Sequence, residues 1–252
     1  MTSMANEREL EGRVALVTGA SRNIGRAIAL ALAGAGAAIV VNARTSREEA
    51  QAVVSEIAAA GGKAMAHLAD VSDERAVHAM AQAALERFGR LDVLVNNAAI
   101  RDVTSIDEIG YAQWRQVTGI ILDGAFLCVK ACLPALRESG AGAIVNIGGM
   151  SGHTGAAGRP HVVAAKLGLV GLTRALAHDL AKDAITVNCV VPGLVETKRG
   201  ASSGKPAHLH APLLERRAKP EDVAAVVRLL AGPRGRSITG QDWHVNAGGY
   251  LG

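Results

Sequence analysis

The run Thr18-Gly19-Ala20-Ser21-Arg22-Asn23-Ile24-Gly25 follows a short apolar stretch, Val14–Val17, and precedes an alanine-rich segment, 26–35, that favours helix. Strand, glycine turn and helix in that order suit a dinucleotide pyrophosphate, which needs backbone N–H groups at close range and a helix N-terminus aimed at its charge. Gly19 and Gly25 fit that task. A glycine turn by itself also serves purely structural ends, so the weight rests on its place between strand and helix. About 20 residues beyond such a turn, an acid binds the ribose 2′-hydroxyl and a base accepts a 2′-phosphate. Here Asn42-Ala43-Arg44 supplies no acid, and Arg44 with Arg22 can make charge-assisted bonds to a phosphate. NADP(H) is therefore expected, in preference to NAD(H); the alternative for both arginines is a solvated surface side chain.

The elements that must position these residues repeat the same rhythm. Strands are expected at 38–41, 64–68, 91–95, 143–147, 185–191 and 242–245. Helices are expected at 47–60, 73–88, 114–136, 161–181 and 220–230. Alternation of this kind predicts an α/β, single-domain Rossmann fold spanning 1–252, a doubly wound parallel sheet with helices on both faces. The segment 193–217 is irregular and reads as a lid or a loop. Its Lys198, Arg199, Lys205, His208, His210, Arg216 and Arg217 suit a solvated loop, and would also attract a carboxylate or phosphate.

A chain of 252 residues with 49% apolar residues can bury a sizeable core. Its 27 basic and 23 acidic residues leave a net charge of +4, too small and too evenly spread to predict nucleic-acid binding. Cys128, Cys132 and Cys189 are odd in number and set among apolar residues, so they read as reduced core thiols. Cys128 and Cys132 would share a helix face, but without further His or Cys nearby no metal site is expected. The first ten residues are polar, with no signal peptide or membrane span, and a cytoplasmic protein is expected.

Over about residues 12–249 these features resemble the short-chain dehydrogenase/reductase family, nearest to the ~250-residue subgroup that includes the 3-oxoacyl-carrier-protein reductases. The turn at 18–25 is similar to the family's TGxxxGxG pattern, with Asn23 in place of the middle glycine, a residue that tolerates left-handed geometry. Asp70-Val71 resembles the pair that holds the adenine, and Asn96-Asn97-Ala98-Ala99 the NNAG segment. Asn188, Pro192-Gly193 and Thr197 resemble the N…PG…T pattern beside the carboxamide, and Ile238-Thr239-Gly240 the late turn. The resemblance implies a cofactor set of Gly19, Ser21, Arg22, Asn23, Ile24, Gly25, Arg44, Asp70, Val71, Asn97, Lys166, Val195 and Thr197. It also implies a homo-oligomer, tetramer or dimer, paired through the helices at 114–136 and 161–181.

In the family a Tyr gives or takes the alcohol proton, a Ser orients the carbonyl, a Lys holds the ribose and an Asn supports a water relay. Aligned on the motifs, the Asn slot holds Ile121, the Ser slot Gly149 and the Tyr slot Val162; Lys166 alone matches. His161 lies roughly 140° around its helix from Lys166, against about 40° for position 162, and points elsewhere. His153, in the loop after the strand bearing the serine slot, is the replacement acid to consider beside Lys166. The remaining phenols, Tyr111 and Tyr250, lie outside the motif, although Tyr250 could reach a neighbouring subunit's site.

The expectation is an NADP(H)-dependent oxidoreductase of atypical mechanism acting on a small carbonyl, alcohol or imine compound, with no nucleic-acid or membrane partner. The alternative is a catalytically lapsed homologue serving as a cofactor-binding sensor or partner subunit. A general acid contributes typically ~10²–10⁴-fold, so its loss slows ketone reduction severely. A preformed iminium ion needs no proton as hydride arrives.

Overall fold

In the computed structural model, which describes residues 8–197 and 212–252, seven parallel strands form one sheet. They are β1 Val14–Val17, β2 Ala38–Ala43, β3 Ala64–Leu68, β4 Val93–Asn96, β5 Ala143–Ile147, β6 Thr186–Pro192 and β7 Asp242–Val245. Their order is β3-β2-β1-β4-β5-β6-β7, as expected for a doubly wound fold. The order reverses beside β1, which pairs with β2 on one side and β4 on the other. A crevice therefore opens beyond the carboxyl ends of these two strands.

Successive strand residues face opposite sides, so each strand feeds two cores. Val17, Val95 and Val145 pack under α1 (Asn23–Gly34), α2 (Arg47–Ala59) and α8 (Pro220–Ala231). Leu16, Leu94 and Ile144 pack under α3 (Glu74–Phe88) and α5 (Gly124–Glu138). Because both faces are covered, the strands read as unbroken apolar runs. Local chemistry fixes the ends of the helices. Asp73 caps α3 by accepting from the Arg75 and Ala76 amides at 2.9 and 3.2 Å, and Gly89 closes it in the left-handed region with φ +77°.

The single helix expected at 114–136 is three pieces. α4 (Tyr111–Thr118) leads into a π-helical turn, Gly119–Asp123, and then into α5. A π turn widens the helix by one residue and is easily accommodated where side chains crowd against a neighbouring element. The run Tyr111–Glu138 is long and apolar enough to cross a membrane by length and composition, yet 56% of its most apolar window is buried in the protein. Beyond the sheet, α6 (Met150–Thr154) follows β5 directly, and α7 (Pro160–Leu180) starts with proline in its first turn.

Of the segment read as a lid, 198–211 lies outside the described residues, and with it Lys198, Arg199, Lys205, His208 and His210. Its two ends meet in a bridge between Val195 and Ala218.

Candidate active site

The glycine turn is shaped by contacts that only glycine permits. Gly19 has φ +60°, and a Cβ on it would stand 3.0 Å from Ala98 Cα; one on Gly25 would stand 2.9 Å from Ala20 Cα. Asn23 takes the left-handed conformation with φ +50°, so the substituted middle position keeps the turn. Thr18 ties the turn to β4: its Oγ1 accepts from the Asn97 and Ala98 amides at 2.9 and 3.0 Å. Asn97 Nδ2 donates back to the Thr18 and Gly19 carbonyls at 2.8 and 3.0 Å, and the Gly19 amide donates to Asn42 Oδ1 at 3.2 Å. No side chain caps the N-terminus of α1 and no acid stands in its first turn, which leaves its dipole to an anionic ligand.

A cavity of about 410 Å³ extends from this turn along the crevice to α7. Its wall brings together Gly19, Ser21, Arg22, Asn23, Ile24, Gly25, Arg44, Asp70, Val71, Asn97, Lys166 and Val195. Thr197, expected in the same set, is not on the wall. Among the described residues five cationic side chains line it, Arg22, Arg44, Arg101, Arg159 and Lys166, against the two carboxylates of Asp70 and Asp102. Burial pushes the Asp70 carboxyl up, but the Ser72 hydroxyl and amide, bonded to its Oδ1 at 2.6 and 2.9 Å, and the nearby Arg44 outweigh it. The net effect holds Asp70 below its usual range and ionised.

At the far end of the cavity stand Gly149, Val162 and Lys166. Lys166 is 6% exposed, and its Nζ donates to the Ile147 carbonyl at 2.5 Å. Burial, reinforced by Arg101, draws its amine down to about 8, with Cys189 weakly opposing. Gly149 has an extended backbone, φ 178°, and a Cβ there would meet only the Lys166 stem, at 3.7 and 3.8 Å, and Ser151 Oγ at 4.0 Å. Val162 is buried with Ile121 of the π turn in one apolar cluster.

His153 is not brought to this cavity. Its ring packs against His244 at 4.8 Å and Tyr250 at 5.6 Å, because α6 directs it toward β7 and the C-terminal segment. Tyr250 thereby sits in the same cluster, and Tyr111 is exposed on α4. His161 is fully buried and off the cavity wall, with burial holding it neutral, as its helical position implied.

Several wall residues had escaped sequence reading. Arg101 and Asp102 follow Asn97-Ala98-Ala99-Ile100, and their place beyond the carboxyl end of β4 was the signal. Glu49, off the wall but beside the glycine turn, is a second omission. It stands in the first turn of α2, where it accepts from Ser21 Oγ at 3.1 Å, so an acid does adjoin the glycine turn.

The family described as Enoyl-(Acyl carrier protein) reductase matches residues 19–250. A 3-oxoacyl-[acyl-carrier-protein] reductase of Synechocystis sp. is 41% identical over 240 residues, 95% of this chain and 97% of the relative. One of Staphylococcus aureus is 40% identical, covering 94% and 98%. Among solved structures, a short chain dehydrogenase from Burkholderia cenocepacia in complex with NADP superposes with a TM-score of 0.90 at 37% identity, covering 96% of this chain and 99% of the other. A dehydrogenase/reductase from Sinorhizobium meliloti also reaches 0.90, at 35% identity, covering 97% and 98%.

Proposed function

The chain belongs to the short-chain dehydrogenase/reductase family, and from that membership we propose that it is an NADP(H)-dependent oxidoreductase of a small carbonyl, alcohol or imine compound, working without the family's phenolic proton donor. The observation that carries this reading is the one cavity whose wall joins the glycine turn, Arg22 and Arg44 to Lys166, with Gly149 and Val162 beside it.

The nucleotide fits the residues present: the turn's N–H groups and the uncapped α1 N-terminus receive the pyrophosphate, and Arg22 and Arg44 the 2′-phosphate. Asp70 and Val71 border the adenine, Lys166 holds the ribose, and Val195 flanks the carboxamide. When bound, the nicotinamide supplies or accepts hydride. What this chain adds at the reacting end is shape and exclusion of water: Gly149 offers no hydroxyl, Val162 no phenol and Ile121 no amide for a relay.

Such a site suits a substrate that needs no proton at the moment of hydride transfer, a preformed iminium ion above all. The relatives are named for reduction of a 3-oxoacyl group, and this chain is expected to perform that kind of ketone reduction slowly. The emptied positions equally favour a second reading, a nucleotide-binding sensor or partner subunit; binding without turnover of any carbonyl or imine would select it. We take the protein to be cytoplasmic and homo-oligomeric. Phe126 on α5 and Leu167 on α7, 48% and 49% exposed, would be covered in a dimer.

Calorimetric titration with NADPH and, separately, NADH tests the reading. Tighter binding of NADPH supports it, and no binding of either nucleotide overturns it together with the sensor alternative.

A further inference from the structure

Among the described residues Lys166 carries the one amine on the cavity wall. Among the described residues its Nζ has a single acceptor, the neutral Ile147 carbonyl, and no carboxylate within ion-pair distance. The titratable groups that act on it are the Arg101 guanidinium, from the loop after β4, and the Cys189 thiol of β6. Burial pushes that thiol up to about 12, so it stays neutral. Loss of water and a neighbouring cation both favour the free amine, and these two conditions turn a lysine into a nucleophile toward carbonyl compounds. With the amine drawn to about 8, an appreciable fraction is uncharged near neutrality.

The surrounding space suits the same chemistry. Gly149 has no side chain, and even a Cβ there would make only ordinary contact with the Lys166 stem, so room remains alongside it. Val162, one turn earlier on α7, is apolar and 2% exposed. Among the described residues no phenol stands on the wall to compete for the carbonyl oxygen.

We propose that, with the nucleotide absent, Lys166 captures small carbonyl compounds as Schiff bases, preferring a short 2-oxo acid whose carboxylate lies against Arg101. The Nζ–carbon bond forms as the carbon–oxygen double bond breaks, and the oxygen leaves as water with the two amine hydrogens. Nothing is oxidised or reduced, and a solvent proton completes the iminium. This capture does not rest on the oxidoreductase reading, since the cavity and the amine suffice.

The test uses the full chain without nucleotide, incubated at pH 8 with pyruvate or with propionaldehyde, trapped with cyanoborohydride and mapped by peptide mass spectrometry. The expected result is labelling of Lys166 at least ~10-fold above exposed Lys63, Lys130 and Lys182, greater with pyruvate than with propionaldehyde. Arg101→Met should remove the preference for pyruvate, while labelling by propionaldehyde falls less, because burial, the larger cause of the free amine, is retained. Labelling of Lys166 no greater than that of the surface lysines, in protein whose circular dichroism shows it folded, overturns the proposal. A pyruvate preference unchanged by Arg101→Met overturns the carboxylate assignment. Failure of NADPH to bind in calorimetry leaves this result unaffected, so the two readings fail separately.

Discussion

Ile121 of the π turn and Val162 of α7 lie in the same buried cluster, each 2% exposed, with Val117, Ala125, Ala165 and Leu169 around them. On the proposed reading, two positions that would hold an amide and a phenol instead share one apolar cluster. Ile121→Asn alone buries an amide there and is expected to cost about 1–3 kcal/mol in urea melts. Gly149→Ser is expected to be near neutral, since its backbone is extended and its Cβ would meet only the Lys166 stem and Ser151 at ordinary contact distance. The triple variant with Val162→Tyr should reduce simple ketones ~10²–10⁴-fold faster than the wild type, read from initial rates with NADPH. No gain in a folded triple variant would count against a preserved substrate pocket.

Gly25→Ala should abolish nucleotide binding and lower the melting temperature. Its Cβ would press on Ala20 Cα at 2.9 Å and on Asn97 Nδ2 at 2.5 Å, the amide that fixes the turn to β4. Calorimetry and thermal melts of the variant read both effects, and unchanged NADPH affinity would refute the assignment of the turn.

Arg44 and Glu49 are expected to pull cofactor preference in opposite directions. Arg44→Ala should weaken NADPH by roughly 10–100-fold, the loss of one charge-assisted bond, and leave NADH nearly unaltered. Glu49→Gln removes the acid that engages Ser21 and should tighten NADPH modestly. Equal losses for both nucleotides in Arg44→Ala would contradict the 2′-phosphate role.

The buried amine makes stability depend on alkaline pH. Lys166 titrates at about 8 in the folded chain, against an ordinary 10.5. Between those values the unfolded chain holds a proton that the folded chain has released, so this group's contribution to stability rises with pH. Below the window both states are charged, and the full burial cost is present. The stability difference between wild type and Lys166→Met should therefore shift in favour of wild type by on the order of 3 kcal/mol between about pH 8 and 10.5. Cys128 and Cys132 are untouched by the substitution and their titration cancels in the comparison, while Cys189, which Lys166 weakly holds down, adds a small difference of its own.

Much of the fold could be read directly, because strands buried on both faces leave unmistakable apolar runs and each helix between them keeps its own period. The nucleotide end of the cavity was legible for a related reason: Gly19, Gly25 and Arg22 are neighbours along the chain as well as in space. What stayed hidden depends on direction or on distant packing. The π turn at Gly119–Asp123 leaves no mark in an unbroken apolar helix pattern. His153 follows the wall residue Ser151 by only two positions, yet the short α6 turns its ring toward His244 and Tyr250. Glu49 was missed because only the return of α2 beside the glycine turn makes it a neighbour of Ser21.

The most direct test of hydride transfer without a protein proton donor follows deuterium from NADPH labelled at the transferred position. The acceptors are a cyclic iminium ion and a ketone of the same size, offered to the wild-type protein. The account predicts label on the iminium product at least ~10²-fold faster than on the alcohol, with little dependence on pH. Comparable rates on both acceptors, with ketone reduction falling as pH rises through a single titration, would contradict it by revealing a protein acid at the site.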